Sequence, residues 1–225
     1  VLATFGSVVR VTIEPRENPY VDQTFQMDLM AETPDLKLDL ALLHPKCTDK
    51  SQMTSISGDP DDHENQIGRA REIAQEIATD YVLENKPRDD LRNPTVLNGK
   101  MFGLPIHYER AFETSFRVET PPRERTLGEK TVSPYFFSDR THDWWQATKG
   151  YRHHWPKEHL AKNALPAVYV QHLVRSWLET TTDHDGETIP DNNGPPPRKV
   201  SGEQATLTDD GPLGTKSDGD RGESA

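Results

Sequence analysis

Cysteine is almost missing: Cys47 is the one thiol in 225 residues, so no disulfide can form within the chain. That excludes a small disulfide-stapled secreted scaffold and suits a reducing compartment, the cytoplasm, or the interior of a virion-like particle. Long apolar runs are missing as well. No stretch approaches the roughly 18 apolar residues that a membrane-crossing helix needs. The first residues, Val1-Leu2-Ala3-Thr4-Phe5, have no basic region and no long apolar core, so no signal peptide is expected. Cationic excess is missing too. The net charge is -11, which argues against a broad grip on nucleic acid, because that affinity comes from Lys and Arg neutralising phosphates. It argues equally against docking on anionic lipid.

The motifs of common enzymes are also missing. The chain has no Gly-x-Gly-x-x-Gly, no Gly-x-x-x-x-Gly-Lys-Ser/Thr loop and no Gly-x-Ser-x-Gly elbow. Dinucleotide-binding, P-loop and α/β-hydrolase chemistry therefore have no foothold in the sequence.

Apolar residues make up 32% of the chain, and mean hydropathy is -0.83. Much of that shortfall lies beyond Thr181, where Ile189, Val200, Leu207 and Leu213 are the only sizeable apolar side chains and no aromatic occurs. That stretch carries ten acids and four bases. Its composition cannot bury enough surface to order itself without a partner. The sequence thus divides into one α+β domain over 1–180 and an acidic, Gly/Pro/Asp-rich tail over 181–225, disordered unless bound.

Within the domain, Phe5 to Ile13, Phe25 to Ala31 and Leu36 to Leu42 alternate at period two and are joined by turn-rich links. They predict an antiparallel β-meander with one wet face. Residues 62–85 then carry Ile67, Ala70, Ala74, Ile77 and Tyr81 at helical spacing, up to Asn85-Lys86-Pro87. They predict one long amphipathic helix across the dry face. Thr95-Val96-Leu97 and Lys100-Met101-Phe102 flank Asn98-Gly99, a hairpin signal. A strand over Phe112 to Val118 and a short one over Val132 to Phe137 follow. The last third predicts short helices: one capped at Thr141, one opened by Pro156, and one opened by Pro166 that ends near Glu179. The fold class is therefore α+β, a meander and hairpins packed by one long helix, with a short helical C-terminal part and an extended polar tail.

One stretch concentrates chemistry. Residues 142–159 hold His142, His153, His154 and His159 of nine histidines, and Trp144, Trp145 and Trp155 of four tryptophans. Three readings stand side by side. Tryptophan and tyrosine bury large areas with a polar tip, so the stretch is a packing corner. Trp144, Trp145, Tyr151, Arg152, His154 and Trp155 also have the composition of an interface hot spot. Finally, His142, Asp143, His153 and His159 supply imidazole and carboxylate donors for a divalent metal such as zinc, although no established zinc spacing is met.

Lesser constellations are the acid-rich loop Asp59 to Glu64, the pair His107 and Glu109, and His44 three residues before Cys47. Each reads more simply as a solvated loop, an exposed strand end, or a small half-buried thiol.

With no committed catalytic motif, the expectation is a non-enzymatic structural or interaction subunit of a larger homo- or hetero-oligomeric assembly, with other protein subunits as partners. A connector, tail or capsid accessory protein of a virus-like particle is one form of it. No cofactor is expected. The alternative is a metal-dependent hydrolase built on the His142–His159 cluster.

Overall fold

The period-two alternation of Leu38, Leu40 and Leu42 becomes strand β3 (Leu38–Leu43), and it positions everything that follows. In the computed structural model, which describes residues 1–15, 17–46, 66–122, 130–152 and 155–185, β3 is an edge of a four-stranded sheet. The sheet order is β3, β4 (Ala78–Asn85), β6 (Arg110–Thr114), β5 (Thr95–Leu97). Strands β3 and β4 run parallel, with Leu42 opposite Val82 and Leu43 opposite Leu83. The β4–β6 and β5–β6 pairs are antiparallel. The molecule is thus mixed α+β, as the sequence indicates.

The long helix of the sequence reading is half helix and half strand. Helix α1 spans Gln66–Ile77 and buries Ile67, Ala70, Arg71, Ile73, Ala74 and Ile77, so the stripe is correct that far. The chain then passes straight into β4. The segment Ala78–Asn85 lies between β3 and β6 and buries Val82, Leu83, Glu84 and Asn85. A strand covered on both faces loses its alternation, which is why periodicity did not reveal it. Ladders to two neighbours outweigh the local helical spacing.

The antiparallel meander is also replaced. Strand β1 (Val9–Thr12) pairs parallel with β2 (Gln23–Gln26) in a separate two-stranded sheet, while β3 joins the larger one. Alternation fixes which side chains share a face. It does not fix which strand lies alongside.

Two further departures follow from turn chemistry. Asn98 does not open a hairpin. Its side chain accepts a hydrogen bond from Lys100 N–H and caps a 3-10 turn over Gly99–Phe102. Gly99 is required there, because a Cβ would lie 2.4 Å from the Ile106 carbonyl oxygen. The expected strand at Val132 reduces to a single bridge with Ile106, and Pro134–Asp139 forms a kinked 3-10 turn. Ser133 caps it and Pro134 supplies its first position.

The helical third follows the sequence closely. Thr141 caps α2 (His142–Lys149), whose end is closed by Gly150 in the left-handed region at φ 77°. Pro156 precedes α3 (Lys157–Lys162), and α4 spans Ala167–Asp185, past the boundary drawn at residue 180. The tail from residue 186 onward lies outside the described residues, as do Cys47 and the acid-rich loop at 59–64. Among the described residues, no helix is long and apolar enough to cross a membrane.

The two faces of the sheet bury different things. Leu83 and Leu43 meet Ala70 and Ala74 of α1 on one side. On the other, Val82, Phe112, Leu40 and Leu42 pack with Trp145, Leu160, Tyr169, Leu173 and Val174 from the helical third.

Candidate functional site

Each face of the sheet contains one buried carboxylate–arginine pair, and strand parity dictates which. On the α1 face, Glu113 accepts hydrogen bonds from Arg71 Nε at 2.6 Å and Nη2 at 2.8 Å, and from Arg92 N–H at 2.7 Å. The Tyr81 hydroxyl adds a longer bond at 3.3 Å. Burial works to raise the Glu113 pKa, but these donors outweigh it and hold the group below the usual carboxylate range.

The second pair is more elaborate. Glu84 is fully buried and directly opposite Phe112, so it shares the helical-third face with Arg110. Arg110 Nε donates to Glu84 Oε1. Oε2 carries no well-angled hydrogen bond and has the His44 Nδ1 atom in close ion contact. Parity explains His44 as well. It continues the Leu38, Leu40, Leu42 row, one residue past the end of β3, beside Glu84 near the end of β4. Burial again works to raise Glu84, and the His44 and Arg110 contacts reverse it, leaving the group below its ordinary value. Nearby, Asn85 Nδ2 donates to the Pro45 carbonyl at 3.2 Å and ties the two strand ends together.

Lys149 closes the cluster from α2. Its side chain is 1% exposed, and Nζ donates to the Ala164 carbonyl at 2.6 Å. Nζ also stands 3.3 Å from the centre of the Tyr108 ring. Burial, with the Arg110 charge in support, pushes Lys149 down to about 6, while Glu84 pulls the other way. Tyr108 itself is raised by burial, and its hydroxyl donates to the Lys162 carbonyl at 3.1 Å.

The aromatic stretch divides by depth. Trp145 is fully buried, with Nε1 donating to the Phe137 carbonyl at 3.0 Å. It belongs to the core cluster, packed with Leu160, Tyr169 and Leu173. Trp144 is half-buried, edge-on to Trp145 at 5.0 Å, with the Arg140 guanidinium 5.2 Å from its ring centre. Tyr151 and Trp155 are half-buried, 5.5 Å apart, and the Tyr151 hydroxyl donates to the Leu165 carbonyl at 2.5 Å. Burial raises Tyr151 to about 12. Arg152 is exposed, while His153 and His154 lie outside the described residues.

Of the four metal-donor candidates, His142 Nε2 donates to the Trp155 carbonyl at 2.8 Å, and its Nδ1 is 3.8 Å from Asp143 Oδ1. His159 stacks edge-on against Trp155 at 5.4 Å and pairs with Asn163 at 3.3 Å. Among the described residues, no group of three His, Cys, Asp or Glu side chains is placed to hold a metal ion. His107 is exposed, as the sequence reading has it.

Beside this stretch lies a feature that the sequence reading missed. Tyr135 and Phe136, adjacent on the kinked 3-10 turn, are 70% and 64% exposed. The strand expected at 132–137 would have turned alternate residues inward. The signal was Ser133-Pro134, a cap followed by a first-turn proline. Phe137, next in line, is half-buried under the Lys162 and Lys157 ammonium groups at 5.1 Å and 5.9 Å.

A scan against protein-family models finds no match for the chain, and a search of curated proteins returns no related sequence.

Proposed function

We propose that the protein is a structural or interaction subunit of a macromolecular assembly, and that it docks on other protein subunits through the aromatic corner formed by the Pro134–Asp139 turn and α2. The observation that carries this reading is the pair Tyr135 and Phe136, both mostly exposed at adjacent positions. Single exposed apolar residues are ordinary on a surface, but two adjacent large aromatics are a concentration that interfaces favour. Trp144 with Arg140 laid over it extends the same surface chemistry, and Trp, Tyr and Arg dominate binding hot spots. The exposed rings expend little side-chain entropy on docking, because each has only two free torsions.

The test is a double substitution, Tyr135→Ala with Phe136→Ala, in the full chain expressed in its native source. The reading predicts that wild-type protein migrates in a large particle on size-resolved purification, and that the variant shifts to the monomer position with its melting temperature within a few degrees of wild type. An unshifted particle, or a wild-type protein that travels alone, contradicts it.

A further inference from the structure

The charge of this acidic chain is unevenly placed, and the aromatic corner sits on the exception. Residues 130–166, which form the corner and the helices beside it, hold six Lys and Arg against three acids, whereas the rest of the chain holds 20 against 34. Lys149 is buried, which leaves five cations exposed or half-buried against Asp139, Asp143 and Glu158. Three of them gather on the rings. The Arg140 guanidinium lies over Trp144, and the Lys157 and Lys162 ammonium groups lie over Phe137. Lys162 also donates to Glu158 at 2.6 Å.

The opposite charge lies across the sheet, on the α1 side. Segment 28–39 is fastened along α1 at both ends. Arg69 donates to the Leu29 carbonyl at 3.2 Å and to Thr33 Oγ1 at 2.8 Å, and Lys37 Nζ donates to the Glu76 carbonyl at 3.2 Å. Asp28, Glu32, Asp35 and Asp39 are thereby brought beside Glu72 and Glu76, and all six are exposed. Within these two segments the bases are Lys37, Arg69 and Arg71, and Arg71 is buried on Glu113. Six surface acids thus face two surface cations, one of which, Arg69, already stands 3.8 Å from Glu72.

We propose that the partner of the aromatic corner is a second copy of this chain, with the corner of one copy seated on the acidic α1 strip of the next. The inference rests on the docking role of the corner and names what covers it. Charge complementarity selects the occupant. Two copies of net charge -11 repel at long range. Corner against corner sets cation against cation, and strip against strip sets acid against acid. Corner against strip is the approach that brings unlike charges together, and such matching fixes register and excludes the other orientations. The rings supply the desolvated area, and the Tyr135 hydroxyl is a donor that a strip carboxylate can accept. Because the two surfaces lie on opposite sides of the sheet, the contact is head-to-tail. Each docking leaves one corner and one strip open, so copies add into a ring or a filament.

The experiment is sedimentation velocity on the purified full chain over a range of protein concentrations. Raising the salt from about 0.01 M to about 0.15 M shortens the screening length from roughly 30 Å to about 8 Å, and the association constant is expected to fall about ten-fold or more. Two variants test the head-to-tail geometry. Tyr135→Ala with Phe136→Ala spoils the corner and leaves the strip, whereas Glu72→Lys with Glu76→Lys spoils the strip and leaves the corner. Each alone is expected to sediment as a monomer with a melting temperature near that of wild type. Their equimolar mixture is expected to form a dimer that grows no further, since it holds one intact corner and one intact strip per pair. A mixture that stays monomeric, or a Glu72 and Glu76 variant that associates like wild type, overturns the proposal. A purified chain that is monomeric at every salt concentration overturns it too, while leaving the corner as a dock for a different subunit. Failure of the docking role itself reads differently: the native particle then survives the Tyr135 and Phe136 substitutions.

Discussion

Lys149 shows how one buried residue sets a pH dependence. Its amine is pushed to about 6 in the folded protein, whereas in the unfolded chain it returns to about 10.4. Between those values the unfolded state holds a proton that the folded state lacks, so stability rises with pH across that window. Lys149→Met, which keeps the length and removes the titration, is expected to flatten the slope of unfolding free energy between about pH 6.5 and 9. Urea unfolding at several pH values checks this, and an equal slope in both proteins would refute it. Glu84 and Glu113 work at the other end. Both are held below the usual carboxylate range. Their contribution is therefore present above the unfolded value and lost as the pH falls through the folded one. Glu113→Gln leaves the Arg71 charge buried without its anion, and a loss of about 3 kcal/mol is expected from the denaturation midpoint at pH 7. A loss below half of that would mean that water reaches the pair.

At the scale of elements, the outcome depends on where local and tertiary signals agree. The cap at Thr141, the helix start beside Pro156 and the stripe Ile67 to Ile77 were legible, because each is decided by local chain chemistry. Strand β4 was not, since its residues are chosen by two neighbouring strands and two covered faces. The cost of that misreading was the buried charge cluster of Glu84, Arg110 and His44. Taken as helix, Glu84 points to no particular partner; taken as strand, it falls on the His44 row. Asn98-Gly99 shows the same limit on a smaller scale. The pair was read for its turn preference, but the glycine is needed for closeness to Ile106. Gly99→Ala is accordingly expected to destabilise by about 1–3 kcal/mol through overpacking. A calorimetric melting temperature unchanged from wild type would show that the Ile106 backbone can yield.

For the whole molecule, the end of the last helix is the place where the domain boundary can be tested. Helix α4 runs through Asp185, and Thr182 Oγ1 still bonds the Leu178 carbonyl at 3.0 Å. A chain ending at Asp185 is expected to unfold with the cooperativity and midpoint of the full protein, whereas one ending at Leu178 loses both. A lowered midpoint for the longer truncation would place residues from 186 onward within the cooperative unit.

The central claim is that the aromatic corner is covered by other subunits where the protein works. Hydroxyl-radical footprinting, read by mass spectrometry, measures this at single side chains. The account predicts that Tyr135 and Phe136 are oxidised several-fold more slowly in the native extract than in the purified chain, while Tyr20, itself 67% exposed, labels equally in both. Equal labelling of Tyr135 and Phe136 in the two states would contradict it.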